Sequence, residues 1–298
     1  MILNVSGRTD IVAFYTPWFM NRIKEGFFDV RNPFNPKLIS RIYYDNVDAI
    51  MFCTKNPRPI IPYLKDIKKP ILFHVTLTSY KQDIECNVKD KKEVIEDIKE
   101  LSSILGKDSV VVRYDPILLT KKYNINYHIK AFEKLCSLLE GYISTIIISF
   151  IDDYKNVRNN ASSLKLIDFT EKDYEMIGTN FSKIAHNHKL RVQTCYENNN
   201  LSQYGFDIGE CFSKTMAYQM TGKKFPYWKA RKGGFCYCVE MVDIGVYNTC
   251  SHFCKYCYAN FDEKKVLENR KKHDPNSSLL IGTLQDDDII KERKDKVK

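Results

Sequence analysis

Three cysteines near the C-terminus have the spacing of a metal-binding loop. Cys250, Cys254 and Cys257 form a CxxxCxxC sequence in a chain of 298 residues. Three thiolates this close in sequence can bind a [4Fe–4S] cube at three corners and leave the fourth iron open to substrate or cofactor. A structural zinc site needs a fourth ligand, for which His252 is near enough, although two well-separated CxxC pairs are absent. The spacing favours an iron–sulfur cluster and leaves zinc as the alternative.

Four further cysteines lie in a short stretch before this loop and could form a second site. They are Cys195, Cys211, Cys236 and Cys238. The N-terminus has no secretion signal, and in a reducing compartment metal binding explains crowded thiols better than disulfides do. The four could hold a second iron–sulfur cluster or a zinc ion, or they could pack as small apolar residues. The remaining cysteines are scattered and are expected to be structural: Cys53, Cys86 and Cys136.

The sequence resembles a known family over nearly its whole length. The motifs that carry the resemblance are Ser6-Gly7-Arg8-Thr9-Asp10, Thr54-Lys55-Asn56-Pro57, Arg113-Tyr114-Asp115-Pro116 and the loop of residues 250–259. On these motifs the chain is similar to domain-of-unknown-function family 1848, whose activity is unassigned. The CxxxCxYCYA loop also resembles the cluster loop of radical S-adenosylmethionine enzymes, and is closest to that of the spore photoproduct lyase-like variety.

This resemblance implies an oxygen-sensitive, radical S-adenosylmethionine-type enzyme. The open iron would bind the methionine part of S-adenosylmethionine, and one electron from the reduced cluster would release a 5′-deoxyadenosyl radical. Tyr256, before the third cysteine, would pack over the adenine. A flavodoxin or ferredoxin would donate the electron. The resemblance identifies neither the substrate nor a residue that acts on it.

The position of the loop in the chain differs from that in the usual radical enzymes. There the cluster loop follows the first barrel strand, whereas here it follows the last. Circular permutation would reconcile the two orders, with a strand over residues 239–246 lying beside a strand over residues 2–6. Ser6, Gly7, Arg8 and Asp10 would then lie where those enzymes bind the methionine amino group, although this chain has no Gly-Gly-Glu sequence there.

Short apolar runs alternate with amphipathic segments through the first two thirds of the chain. Strands are predicted over residues 2–6, 48–53, 71–78, 109–114, 145–150 and 190–195, and helices over 17–25, 36–41, 91–105, 125–139 and 171–186. Polar residues follow each strand, as at the carboxyl ends of parallel strands that carry a site. Six such ends favour an α/β fold with a partial (β/α) TIM-like barrel over an open sheet. Residues 156–168 are predicted to form a surface loop.

The composition changes near residue 195, where Gly, aromatic and Cys residues replace the strand–helix alternation. We expect a (β/α) barrel core over residues 1–194 and a Cys-rich, cluster-bearing region over 195–298 that completes the barrel. Arg113 and Asp115 follow a Val-rich strand and are expected at the rim. There they could clamp a carboxylate or ribose, or form an ion pair that supports the barrel mouth. His74 alternates with apolar neighbours and is expected to be a core histidine with its hydrogen bonds satisfied.

Composition and charge give only general limits on partners. The chain is 44% hydrophobic and has a formal net charge of +9, and no apolar run is long enough to span a membrane. We therefore expect a cytoplasmic protein. Basic and aromatic residues are interleaved over 223–232 and could contact nucleic acid or cover the cluster. The alternative function is a zinc-stabilised nucleic-acid-binding protein without radical chemistry.

Overall fold

A seven-stranded parallel sheet organises the computed structural model, which describes residues 1–195, 197, 200–227 and 237–294. Its strands are β1 (Ile2–Val5), β4 (Ala49–Thr54), β5 (Ile71–Thr76), β6 (Val110–Ile117), β7 (Thr145–Phe150), β8 (Arg191–Thr194) and β9 (Met241–Asp243). Their order across the sheet is β8-β7-β6-β5-β4-β1-β9, and all neighbours are parallel. A smaller sheet contains β2 (Phe27–Arg31), β3 (Leu38–Tyr43) and β10 (Ile289–Glu292), with β3 in the centre.

Helices connect most of the parallel strands. The described α-helices are α1 (Ile11–Phe14), α2 (Thr16–Glu25), α3 (Lys91–Leu105), α4 (Ile125–Leu139), α5 (Lys155–Asn159), α6 (Ala161–Leu164), α7 (Glu171–Asn187), α8 (Lys214–Thr221) and α9 (Glu263–Lys271). Helix α7 begins with a capping box, in which the Thr170 side chain and the Asp173 side chain each accept a hydrogen bond from the other residue's backbone. None of the described helices is both long enough and apolar enough to cross a membrane.

The two faces of the sheet are covered by different parts of the chain. Leu3, Phe52 and Phe73 lie on one face, in a core that includes the apolar sides of α2, α3, α4 and α7. Ile2, Met51 and Leu72 alternate with them and pack on the other face against side chains from residues 211–225 and 238–241. The alternation follows from the two-residue period of a strand. Residues 211–225, which include α8, therefore cover the face opposite α2, α3, α4 and α7.

The last strand of the large sheet lies beside the first. β9 pairs with β1 in parallel, with Ile2 opposite Met241 and Asn4 opposite Asp243. The expected pairing of the 239–246 segment with the N-terminal strand is thus present, although the strand is only three residues long. As a result, the loop after β9 is placed next to the N-terminal segment.

The prediction of an α/β fold with a parallel sheet is confirmed, but two local predictions are wrong. Residues 36–41 are not helical, because Leu38–Tyr43 is a strand that pairs with β2 and β10. Residues 156–168 are not simply a loop, since they contain most of α5 and all of α6. Within the described residues no strand pairing joins β8 to β9, so the sheet is open between these two edges.

Candidate functional site

The CxxxCxxC loop lies between β9 and α9, at the carboxyl end of the sheet. The side chains of Cys250 and Cys254 are buried and that of Cys257 is half-buried, and none of them forms a disulfide. Burial raises the pKa of the Cys254 thiol, and the positive charge of Lys55 lowers it in part. The loop thus presents three free thiols in a largely desolvated setting.

Asparagine side chains close the two ends of this loop against each other. Asn248 has a left-handed backbone conformation, with φ of 54°, and its Oδ1 accepts hydrogen bonds from the backbone N–H of Phe261 at 2.9 Å and of Asp262 at 3.2 Å. Asn260 Nδ2 donates to the carbonyl oxygen of Cys250 at 3.0 Å. Asn tolerates positive φ better than most residues, and its short amide can replace missing backbone partners. Hydrogen bonds between its own residues therefore stabilise the conformation of the loop.

Asp10 connects the N-terminal segment to the cysteine loop. Its Oδ2 accepts from His252 Nε2 at 2.9 Å and from the backbone N–H of Lys55 at 2.8 Å. Its Oδ1 accepts from Thr54 Oγ1 at 2.7 Å and from the backbone N–H of Ala13 at 2.9 Å, which caps α1. Both carboxylate oxygens are thus used within the protein, and His252 Nε2 is held away from a role as a fourth metal ligand.

A buried carboxylate lies directly beneath the other half of the loop. Glu85 is 1% exposed and accepts hydrogen bonds from Tyr256 Oη and from Thr78 Oγ1, the latter at 2.7 Å. Lys55 Nζ is 2.7 Å from Glu85 Oε1, and Lys91 Nζ bonds to Oε2. Burial alone would raise the pKa of Glu85, but the two ammonium groups lower it to about 2. Tyr256 is consequently fixed by its hydroxyl and only 7% exposed.

The Ser6-Gly7-Arg8 segment is held against the end of β9 by Asp243. Asp243 Oδ2 accepts from the Gly7 backbone N–H at 2.7 Å, and Oδ1 accepts from Ser6 Oγ at 2.9 Å and from Arg8 Nε at 3.2 Å. The hydroxyl of Tyr258, one residue after Cys257, donates to the Gly7 carbonyl oxygen. The structure thus brings the predicted methionine-binding segment beside the third cysteine.

Arg113 and Asp115 form an ion pair on the face of the sheet that carries Ile2, Met51 and Leu72 and that Cys211 covers. Arg113 Nε is 2.8 Å from Asp115 Oδ2, and Ser149 Oγ donates to Asp115 Oδ1. Arg113 Nη1 lies 3.3 Å from Cys211 Sγ. Of the two roles expected for Arg113 and Asp115, the ion pair is observed. The Arg113 guanidinium also faces the thiol of Cys211, which lies in the segment that covers this face of the sheet.

The second group of cysteines is partly assembled around Arg113. Cys195 Sγ and Cys211 Sγ are 2.8 Å apart, and the side chain of Cys238 also contacts Cys211. Cys236 lies outside the described residues. Among the residues that the structure describes, no three His, Cys, Asp or Glu side chains are placed to hold a single metal ion. Metal binding therefore stays a prediction both for this second group and for Cys250, Cys254 and Cys257.

Two titratable groups near these thiols have shifted pKa values. Burial and, to a smaller extent, the Arg113 charge lower the pKa of His74 to about 3, and His74 Nε2 has no hydrogen-bond partner among the described residues. His74 is thus a core histidine, as predicted, and it is only partly satisfied, since its ring bonds to the Cys211 backbone while Nε2 has no partner in the described part of the chain. Burial raises the pKa of Glu197 to about 8, although Glu197 Oε1 accepts from the Phe150 backbone N–H at 2.8 Å.

Glu85 and Asp243 are the two site residues that the sequence analysis missed. Each is an isolated acid outside the recognisable motifs, and no spacing pattern distinguishes it from surface carboxylates. The predicted nucleic-acid segment is described only up to Tyr227, which is 45% exposed and packs against Tyr237. The remaining residues of that segment, 228–232, lie outside the described residues.

Comparison with known proteins gives one family. The sequence model of a family described as Domain of unknown function (DUF1848) matches residues 2–259, which includes the N-terminal segment, the parallel sheet and the cysteine loop. No curated protein matches the chain.

Proposed function

The chain belongs to this family, DUF1848, and we propose that it is a radical S-adenosylmethionine-type enzyme that binds a [4Fe–4S] cluster through Cys250, Cys254 and Cys257. Such a cluster, when bound and reduced, supplies the electron that cleaves S-adenosylmethionine to methionine and a 5′-deoxyadenosyl radical.

The observation that supports this proposal is the donor set of the loop. The loop supplies three thiols, and its only histidine, His252, is hydrogen-bonded to Asp10 through Nε2, with Nδ1 directed to the Asn87 carbonyl oxygen at 3.5 Å. A three-thiol set suits a cube with one open iron, whereas a structural zinc ion takes four protein ligands. The chemistry of the donors therefore favours the cluster over zinc.

The chain's own residues would bind and orient the cofactor beside the loop. The Gly7 carbonyl oxygen accepts a hydrogen bond from Tyr258, the residue after Cys257. We propose that the segment of Ser6, Gly7 and Arg8, which Asp243 holds in place, lies beside the methionine end of S-adenosylmethionine. Asp10 would stabilise the loop through its hydrogen bond with His252, since both of its carboxylate oxygens already accept hydrogen bonds within the protein. Tyr256 would contribute one edge of its ring to the adenine, because its hydroxyl end is fixed on Glu85.

The strand order supports the finer proposal of a circularly permuted, partial (β/α) barrel. With β9 placed before β1, the series β9-β1-β4-β5-β6-β7-β8 follows one direction across the sheet, and the cysteine loop follows its first member. A cytoplasmic ferredoxin or flavodoxin would be the electron donor. Arg113 and Asp115 lie on the face opposite α2, α3, α4 and α7, and we propose that they face the substrate.

Anaerobic reconstitution with iron and sulfide tests the proposal. We expect the wild-type chain to be brown, to bind about four irons at the loop, and to form 5′-deoxyadenosine from S-adenosylmethionine in the presence of dithionite. Cys254→Ala should lose both the cluster absorbance and this product. Cys86→Ala is the matched control, because Cys86 is a half-buried free thiol close to the loop that has no assigned ligand role.

Two results would contradict the proposal. A colourless wild-type protein that holds stoichiometric zinc after anaerobic reconstitution would support the zinc-stabilised nucleic-acid-binding alternative. Formation of 5′-deoxyadenosine that survives Cys254→Ala would show that the ligands are assigned incorrectly.

A further inference from the structure

One buried carboxylate, Glu85, is shared by two lysines beneath the cysteine loop. The side chain of Glu85 is 0% exposed, that of Lys55 is 11% exposed and that of Lys91 is 30% exposed. Two ammonium groups and one carboxylate leave one positive charge uncompensated. Placing an excess charge in such a poorly solvated position costs free energy unless a negative group offsets it. The arrangement therefore points to a negative partner nearby.

Asp115 also lies near enough to act on Lys55, but it is already paired with Arg113. The cysteine loop is a neighbour that can supply the negative charge. Glu85 forms a β-bridge with Cys254, and the Lys255 backbone N–H donates to the Ile84 carbonyl oxygen at 3.0 Å. Lys55 Nζ also lies 5.6 Å from the centre of the Tyr256 ring. Thiolates bound to an iron–sulfur cluster carry net negative charge, which increases when the cluster takes up an electron.

We propose that Lys55, held by Glu85 and assisted by Lys91, provides a buried positive charge that favours the reduced state of the cluster at Cys250, Cys254 and Cys257. This inference rests on the proposed function. Lys55 is the main contributor because it is the less exposed of the two lysines, so water screens its charge less. Lys55 thus tunes the cluster without contacting the reacting atoms. Asp10, on the Cys250 side of the loop, is unchanged in every variant below.

The local charge can be changed in both directions by substitution. In the wild type, Lys55, Glu85 and Lys91 together have a net charge of +1. Lys55→Met reduces this net charge to zero, and Glu85→Gln increases it to +2. The double variant has the wild-type net charge of +1. One electron passes from dithionite to the cluster in each case, and the reduced fraction is read by EPR at a series of fixed ambient potentials.

The four proteins have different expected reduced fractions. At a given potential, the ratio of reduced to oxidised cluster should be about tenfold lower in Lys55→Met, equivalent to a midpoint about 59 mV more negative. Glu85→Gln should shift the ratio in the opposite direction, and the double variant should lie close to wild type. A merely structural role for these residues would disturb all three variants in the same direction.

Two further variants are controls. Lys55→Arg keeps the charge and should retain the wild-type midpoint. Lys89→Met removes a lysine from the same segment, but Lys89 pairs with Glu93 and Asp97 and not with Glu85, so its midpoint should also be unchanged.

The outcomes separate this inference from the proposed function. A wild-type chain that binds no iron overturns both. A wild-type cluster with an unchanged midpoint in Lys55→Met, or shifts of the same sign in Lys55→Met and Glu85→Gln, overturns this inference alone. If Lys55→Met does not fold, Lys91→Met is used instead, since it removes a more exposed charge; a midpoint that is not more negative in that variant overturns the inference.

Discussion

At the scale of single residues, buried polar groups matter more for the loop than their sequence motifs suggest. Asp10 was expected to contact the cofactor, as part of the Ser-Gly-Arg-Thr-Asp motif. Its two oxygens instead accept four hydrogen bonds from the protein, including one from His252 in the loop. A direct contact between Asp10 and S-adenosylmethionine stays a prediction. A carboxylate with this many donors serves first to hold three segments together.

His128 makes the stability of the fold sensitive to acid. It is fully buried, its Nε2 lies 2.9 Å from the Leu118 carbonyl oxygen, and its Nδ1 lies 2.8 Å from Tyr114 Oη. Burial lowers its pKa to about 4. An unfolded histidine has a pKa of about 6.5, so between these values the unfolded chain binds more protons. The free energy of unfolding should therefore fall as the pH decreases from about 6.5 to 4, by up to about 1.4 kcal/mol per pH unit from this group.

Urea denaturation of the metal-free protein at several pH values measures this dependence. His128→Gln removes the titrating group, so its unfolding free energy should depend less steeply on pH over the same range, whatever its absolute stability. Equal slopes for the two proteins would contradict the assignment. His74, whose pKa is also lowered by burial, is present in both and contributes equally.

At the scale of elements, the seam between β1 and β9 is closely packed beside the site. A Cβ atom added at Gly245 would lie 1.8 Å from Ser6 Oγ and 2.9 Å from Ser6 Cβ. The two strand ends approach this closely because Asp243 accepts hydrogen bonds from both of them. One comes from the Gly245 backbone N–H at 2.7 Å and another from Ser6 Oγ at 2.9 Å. Glycine is thus required at position 245 by the close approach of the Ser6 side chain.

Gly245→Ala should destabilise the fold severely. Overpacking of a close contact costs about 1–3 kcal/mol, and rotation of the Ser6 hydroxyl cannot relieve the contact with Ser6 Cβ at 2.9 Å. Adding Ser6→Gly removes the two closest of the three atoms that the new methyl group meets and leaves Asp243 Oδ1 at 3.1 Å, so it should recover part of the lost stability. Gly7→Ala should cost less, because its nearest neighbour is the Asp243 carboxylate at 3.0 Å.

Thermal unfolding of these variants, measured without metal, checks the prediction. A Gly245→Ala protein as stable as wild type, or one that Ser6→Gly does not improve, would show that the seam is looser than its distances indicate.

The wrong helix prediction at residues 36–41 has a cause at this same scale. The Leu38–Tyr43 segment is short and contains both apolar and polar residues, so local propensity does not decide its conformation. Its strand state comes from pairing with Phe27–Arg31 on one side and Ile289–Glu292 on the other. The latter partner lies about 250 residues away in sequence, too far for any local pattern to indicate the pairing.

At the scale of the whole molecule, the cysteines separate into two groups in different parts of the core. The loop cysteine Cys254 packs with Tyr80 and Tyr256. Cys211 and Cys238 instead pack with Ile2 and Met51, on the face of the sheet opposite α2, α3, α4 and α7. Cys136 is fully buried on α4 and is structural, as predicted. The two thiol groups therefore belong to separate clusters of side chains.

Substitution of the second group should leave the first intact. In Cys195→Ser/Cys211→Ser we expect the loop to retain its iron, because these residues do not contact it. Metal analysis of the reconstituted protein measures this directly. Loss of all iron in the double variant would contradict the separation, and a wild-type excess of iron or zinc that disappears in it would show that the second group also binds metal.

The sequence by itself determined the alternation of strands and helices, the bounds of α3, α4 and β7, and the three thiols of the loop. These features depend on local periodicity and spacing, which a chain carries without reference to its fold. Tertiary structure alone decided that Glu85 and Asp243 lie beside the loop and that Asp10 bonds to His252. Their roles arise from burial and from hydrogen bonds between segments as much as 240 residues apart, and an isolated carboxylate has no sequence pattern that reveals what it will face once the sheet has formed.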